Sequence, residues 1–431
     1  MLAAHDVAPR PAVDFDPLSQ AFLRNPLDTL RRLREESPVF YSPRYEFWGI
    51  TRHEDITRAL LDTETFSQGE LGSATVPEKY TDRIPQHFFA KSFTGSNPPE
   101  HTRYRKLGQA LLSKRNVAYL EEPLRDLANA LIDDFIADES ADLIKQYFVR
   151  MTLGAMLALL GLPISEFDRM LRLAHDWVLM IQQQIVDLTG DELWEFHAQT
   201  RDRFREIIRQ RRADPGDDFV SKLTLARDEN GEPLFDDQHI ATLMSELILG
   251  GTDTASNTMA SSVVIIDHDD TLRAEALANP ALFADIFEET LRIDGPVTGV
   301  WKRAERDVEV RGVTIPKGAR VWMMLLAGST DRGAYDKPEE FCPHRERPTS
   351  HLGFGWGRHL CIGAPLARLE GRVGLQVLYE RIPDIRVRPG TELKFQEMLI
   401  GRNLAGLPVV WGSTAKQLTD PSFKKAQEGN P

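Results

Sequence analysis

The sequence predicts a mostly α fold with a minor β region, organised as one domain. Three features carry that expectation. Apolar residues recur at helical spacing through most of residues 99–294. Period-two patterning is confined to short stretches near both ends, VFYSPRYEFWGITR and DVEVRGVTIPKGARVWMM. The chain has 431 residues and no internal repeat, so a single large core is possible.

Taken in order, a Pro-rich arm (residues 1–24) leads into a short helix, NPLDTLRRLREE, closed by Pro38. VFYSPRYEFWGITR has β-branched and aromatic residues around a turn and reads as a hairpin. HEDITRALLD is a further short helix. Residues 66–98 are rich in Gly, Ser and Pro and form a long loop of the kind that usually carries function. Helices then dominate to residue 294, broken at GLP (161–163), DPGDD (214–218) and ENGEPL (229–234). One of them spans roughly 236–267. Residues 307–324 read as strands, with turns at Gly312 and at Pro316-Lys317-Gly318. A helix follows the glycine-rich run at 351–363 and extends to about 382, and short strand-like pieces reach Trp411. The main domain is therefore 25–411. Residues 412–431 form a polar tail expected to be disordered.

Bulk charge narrows the function. A formal net charge of −13 opposes a general nucleic-acid binder or an anionic-membrane binder. The apolar stretch MTLGAMLALLGLP (151–163) is too short to span a bilayer and reads as a core helix. No basic stretch followed by an apolar run marks a signal peptide, and two cysteines make no disulfide framework, so a cytoplasmic protein is expected.

The run HLGFGWGRHLCIG (351–363) places one of those cysteines, Cys361, among four glycines at a helix entrance. Zinc ligation lacks a second nearby cysteine in CxxC spacing, and His359 alone is weak support. A buried structural thiol would not need Gly353, Gly355, Gly357 and Gly363 around it. A helix starting just after Cys361 directs N–H groups and a positive dipole end at the sulfur, which favours a thiolate. A thiolate held in such a loop suits the axial position of haem iron. The string Phe354-Gly355-x-Gly357-x-His359-x-Cys361-x-Gly363 resembles the haem-binding signature of the cytochrome P450 family.

Three further stretches extend the resemblance. In GGTDTASN (250–257), paired glycines followed by an acid and an alcohol are poor helix-interior choices. They suggest a deliberate bulge in which a Thr hydroxyl takes over a backbone hydrogen bond. Gly250-Gly251-Thr252-Asp253-Thr254 resembles the family's oxygen-activation motif. By that resemblance Thr254 holds a proton-donating water network and Asp253 relays protons from solvent. Glu289-x-x-Arg292 lies on one helix face and resembles the family's structural Glu-x-x-Arg, with Arg345 in Phe341-x-Pro343-x-Arg345 as the completing cation. Glu346 departs from the aromatic usual there, and the stretch to Phe354 is short. His101 and Arg105, one turn apart after Pro98-Pro99, match the helix that holds haem propionates, with His359 joining them. A further propionate cation is implied at Lys302 or Arg303; the register fits the first, and the second follows it.

The resemblance implies the P450 fold and a haem b monooxygenase with Cys361 as proximal iron ligand. It inserts one oxygen atom of O2 into an organic substrate. No Cys cluster or nucleotide fingerprint remains for a built-in electron donor, so a separate ferredoxin and ferredoxin reductase are expected, docking near Arg358, Arg368 and Arg372. Leu247, Val297 and Val300 suggest an apolar substrate cavity. A peroxide-driven, nitrating or rearranging relative would be favoured by loss of the acid–alcohol pair, and a haem sensor or carrier would not need that pair. Asp253 and Thr254 are both present.

Overall fold

The computed structural model describes residues 11–68, 76–86, 92–181, 190–346, 348–399 and 401–413. Most of the polar tail, residues 414–431, lies outside them, as do the first ten residues of the arm and parts of the 66–98 loop. The chain forms two compact units. One comprises Met1–Leu71, Leu291–Cys361 and Glu397–Arg402; the other comprises Gly72–Thr290, Ile362–Gln396 and Asn403–Pro431.

The first unit is built on a five-stranded sheet in the order Val39–Ser42, Phe47–Ile50, Arg320–Met323, Val300–Ala304, Phe66–Ser67. The expected hairpin is present, with Val39 opposite Ile50 and Ser42 opposite Phe47. Phe47–Ile50 runs parallel to Arg320–Met323; the other neighbours are antiparallel. Val39, Ile50, Ile56, Leu60, Phe66, Val321, Met323 and Leu352 form the apolar cluster beside it. The described part of the arm packs here as well: Phe15 is 4% exposed and its ring lies 5.1 Å from Phe22 and 5.9 Å from Trp322.

Strand Val300–Ala304 is not apparent in the sequence. Its residues are VWKRA, so cations occupy two of five positions and mask the alternation. Pairing with Arg320–Met323 overrides that weak propensity: Lys302 lies opposite Val321 and Ala304 is fully buried.

The second unit is helical. Its axis is the helix Asp237–Asp267, started by Asp236, whose carboxylate accepts the His239 N–H at 2.7 Å. Buried residues lie all around this helix, because Val149–Leu160, Phe167–Ile181, Asp191–Ala213 and Ala364–Arg381 pack on it. Val149–Leu160, the apolar stretch of the sequence, is buried over most of its surface and ends at Gly161 in the left-handed conformation (φ 69°). Among the described residues no helix is long and apolar enough to cross a membrane. A small antiparallel sheet, Ser140–Asp142, Pro408–Val410 and Arg386–Val387, completes the unit. Helix Leu282–Asp294 contributes residues to both units.

Candidate functional site

In the first unit the Cys361 run folds as two consecutive tight turns. Gly355 and Gly357 take φ of +75° and +70°, where side-chain-bearing residues are strained. Gly355 N–H bonds to Leu352 O at 2.7 Å, and Cys361 N–H bonds to Phe354 O at 2.7 Å. The sulfur-bearing residue is thus anchored by its own backbone while its side chain stays exposed. Helix Ala364–Arg381 begins three residues later, so its unpaired first-turn N–H groups lie on the cysteine side. Phe354 and His359 are half-buried in the same turns. Neither Cys342 nor Cys361 forms a disulfide. Trp356 packs against the sheet's apolar cluster, as do Val297 and Val300.

Beneath this run sits a cage of carbonyls. Arg292, 1% exposed, donates to Ser329 O at 3.0 Å, Pro338 O at 2.6 Å and Glu340 O at 3.1 Å. Arg345 donates to Asp336 O at 2.7 Å, Lys337 O at 2.9 Å and the same Glu340 O at 2.8 Å. The structure therefore brings Arg292 and Arg345 onto one segment. Ser329 links it onward: its hydroxyl accepts the Leu352 N–H at 2.9 Å. Gly353 is needed at the next position, since a Cβ there would lie 2.8 Å from Leu291 O. Glu289, in the second unit, is also 1% exposed, so neither member of the Glu-x-x-Arg motif is a solvated surface residue.

Strand alternation separates Lys302 from Arg303. Lys302 points inward, 2% exposed, and its ammonium donates to Gln68 Oε1. Burial pulls its pKa down to about 8, and no carboxylate pairs with it among the described residues. Arg303 turns the other way and pairs with Glu305 at 3.0 Å on the exposed face.

In the second unit, the Gly250–Thr254 stretch is α-helical throughout. The expected bulge is absent; Thr254 instead donates its hydroxyl to Gly250 O at 2.7 Å, within an intact helix. The two glycines differ. A Cβ at Gly251 would lie 2.3 Å from Met156 Sδ, so Gly251 is a packing requirement, whereas nothing lies within 4 Å of a Cβ at Gly250. Burial pushes the Asp253 carboxyl up, and nearby His175 pulls it partly back. His175 is exposed on Phe167–Ile181. Asn257 ties this segment to the chain end, bonding Asp253 O at 2.9 Å and the Leu404 N–H at 2.8 Å. Leu247 is 7% exposed and belongs to the core.

On helix Glu100–Leu111 of the same unit, His101 and Arg105 share one face and are 2% and 6% exposed. Two cationic or donor side chains turned inward do not make a solvated basic helix face. Sequence reasoning missed Glu246. Its carboxylate accepts the N–H groups of Phe93 at 2.8 Å and Thr94 at 2.7 Å. An acid in the apolar run MSELILGG was the available signal. The expected arginine cluster also changes. Arg368 is held bidentately by Glu288 at 2.8 and 2.6 Å, and Arg372 by Glu121 at 2.8 Å, leaving Arg358 as the exposed member.

Comparison with known proteins gives these features a context. A family model described as cytochrome P450 matches residues 41–381. The chain is 32% identical over 403 residues to an erythromycin C-12 hydroxylase of Saccharopolyspora erythraea, covering 91% of this chain and 96% of that protein. It is 31% identical over 386 residues to a mycinamicin IV hydroxylase/epoxidase of Micromonospora griseorubida, covering 88% and 94%. Among solved structures, a mutant of P450 EryK in complex with erythromycin B superposes with a TM-score of 0.77 at 30% identity, covering 90% of this chain and 96% of that one. P450 CYP109Q5 from Chondromyces apiculatus gives 0.82 at 27% identity, covering 93% and 98%. The matched model takes in the acid–alcohol segment, the Glu-x-x-Arg helix and the Cys361 turn alike: the chain belongs to the cytochrome P450 family and is a monooxygenase of that family.

Proposed function

We propose that this P450 carries haem b on Cys361 and hydroxylates a macrolide-like or other apolar polyketide metabolite, with electrons from a ferredoxin and its reductase. The observation that supports it most is the Cys361 turn, which fixes the backbone of one cysteine and leaves its side chain exposed at a helix entrance. The family's haem-thiolate iron supplies dioxygen activation when bound.

The donor set fits that group. A thiolate at Cys361 is favoured by the adjacent helix start. Lys302 is a buried ammonium hydrogen-bonded to an amide, with no carboxylate pairing it among the described residues, and a carboxylate beside it would favour its charged form. His101 and Arg105, both buried, are the propionate candidates that the family resemblance implies. Lys302 rather than Arg303 is the propionate candidate, because Arg303 is occupied by Glu305 on the opposite face.

The remaining roles belong to the protein's own groups. Thr254 keeps its hydroxyl on Gly250 O and can release it to orient a water. Asp253, whose carboxyl is pushed up by burial, can take up and pass on a proton. Arg358 and Leu360, the latter 44% exposed, give an electron donor a cation and an apolar contact next to Cys361. The similarity to an erythromycin C-12 hydroxylase and a mycinamicin IV hydroxylase/epoxidase motivates the substrate class.

Three measurements test this reading. Titration of the haem protein with erythromycin-type macrolactones is expected to shift the Soret band by displacing water near the iron; no shift with any of them removes the substrate class. Thr254→Ala is expected to retain haem but lower product formed per electron pair by about ten-fold or more; unchanged coupling contradicts its role. Lys302 gives a pH signature. Its lowered pKa means that the unfolded chain holds more protons between about pH 8 and 10.5. Haem-free protein should therefore gain stability as pH rises through that window. Lys302→Met should lack the gain, which denaturant melts at pH 7 and 10 would show.

A further inference from the structure

Glu246 lies one helical turn before Gly250 and two before Thr254, so the three share a face of Asp237–Asp267. Its carboxylate is not turned to solvent. One oxygen accepts the Phe93 N–H at 2.8 Å and the other the Thr94 N–H at 2.7 Å, and the Ser92 and Thr94 side chains bond to it too. The turn it holds is closed on itself, with Gly95 N–H on Ser92 Oγ at 2.8 Å and Ser96 N–H on Ser92 O at 3.3 Å. Burial pushes the Glu246 carboxyl up, and these donors oppose that shift.

The held turn carries Phe93, 2% exposed, into the interior. Its ring lies against Gly108 of helix Glu100–Leu111, where a Cβ would come within 2.7 Å of Phe93 Cζ and 2.6 Å of Ile362 Cδ1. Gly108 follows His101 and Arg105 on the same buried face. A continuous chain of contacts therefore runs from Glu246 through the 92–96 turn and Phe93 to the helix bearing those two side chains.

We propose that Glu246 is a positioning residue: by clamping the 92–96 turn it fixes the His101/Arg105 helix relative to the Gly250–Thr254 segment, and so sets the fit of the haem edge. The clamp is independent of the haem reading; what it serves rests on that reading. An apolar residue at 246 would leave two adjacent N–H groups without their acceptors.

The test uses haem-loaded protein, wild type, Glu246→Gln and Glu246→Ala. Hydrogen exchange resolved at Phe93 and Thr94 is the first readout. Glu246→Gln, which keeps shape but offers one acceptor oxygen, should speed exchange at one of these amides about ten-fold, and Glu246→Ala at both. The second readout is haem transfer to excess apomyoglobin, expected to accelerate several-fold in Glu246→Ala, with a shifted propionate bending band in the resonance Raman spectrum. Wild-type exchange at both amides in both variants overturns the clamp. Accelerated exchange with unchanged haem transfer and an unchanged propionate band overturns the positioning role. Should Glu246→Ala fail to fold, Glu246→Gln alone decides on the same readouts. Failure of the haem reading would show separately, as wild-type protein that takes up no haem while its amides remain protected.

Discussion

Arg292→Ala is expected to leave little folded protein. The guanidinium is 1% exposed, sits 5.4 Å over the Tyr335 ring and satisfies carbonyls of Ser329, Pro338 and Glu340. Removing it strands the Ser329 and Pro338 carbonyls, while Glu340 O keeps its Arg345 donor, and opens a cavity the size of its side chain. Each buried acceptor left unsatisfied costs about 1–3 kcal/mol, and the cavity adds to that, a large part of the roughly 5–15 kcal/mol that holds a typical domain folded. The damage should spread along one route. Ser329, whose carbonyl Arg292 holds, also positions Leu352 at the start of the Cys361 run. Arg292→Lys is expected to rescue only in part, because one ammonium cannot address three carbonyls in the planar fork geometry that arginine offers. Urea melts of soluble protein, with haem content measured in parallel, check both variants. A melt unchanged from wild type would mean that the carbonyl cage is not a determinant of this fold. Arg345→Ala should be milder, since its side chain is only half-buried and Glu340 O retains Arg292.

Cys361→Ala is expected to abolish monooxygenation while leaving the fold intact. The backbone bond from Cys361 N–H to Phe354 O does not depend on the side chain, and Gly355 and Gly357 shape the turns on either side. The exposed thiol makes little contribution to packing, so the stability change should be within about 1 kcal/mol. What disappears is the sulfur as a ligand. On the proposed reading, any haem this variant binds would lack the sulfur ligand. Cys342→Ala, by contrast, should leave activity near wild type, because Cys342 lies on the segment below the carbonyl cage and belongs to no chemical motif.

What could be read from the sequence followed from how local each signal is. The hairpin around Val39–Ile50, the helix closed at Gly161 and the Cys361 turn are specified by residues within a dozen positions of one another, and all take the anticipated form. Strand Val300–Ala304 was hidden because its pairing partner supplies what VWKRA lacks. The same pairing sets the orientation of Lys302 and Arg303, which adjacency alone left open: alternation turns one in and the other out.

The electrostatic features were least legible. Arg358, Arg368 and Arg372 are close in sequence, yet Arg368 and Arg372 are claimed by Glu288 and Glu121 from remote segments. Glu246 finds its partners 153 and 152 positions away, and nothing in the local pattern shows them. At Gly250–Thr254 the composition suggested a bulge. The packed helix stays regular because Gly251 is required by Met156 and Thr254 bonds back onto the helix without breaking it. Small residues there make room without bending the backbone.

The reduced, carbon-monoxide-treated difference spectrum of purified, haem-supplied protein addresses ligation by Cys361 most directly. The wild-type protein should show the strongly red-shifted Soret band of a thiolate-ligated haem, and Cys361→Ala should lack it. A wild-type band at the unshifted position of a nitrogen-ligated haem, or a red-shifted band that survives in Cys361→Ala, would contradict the assignment.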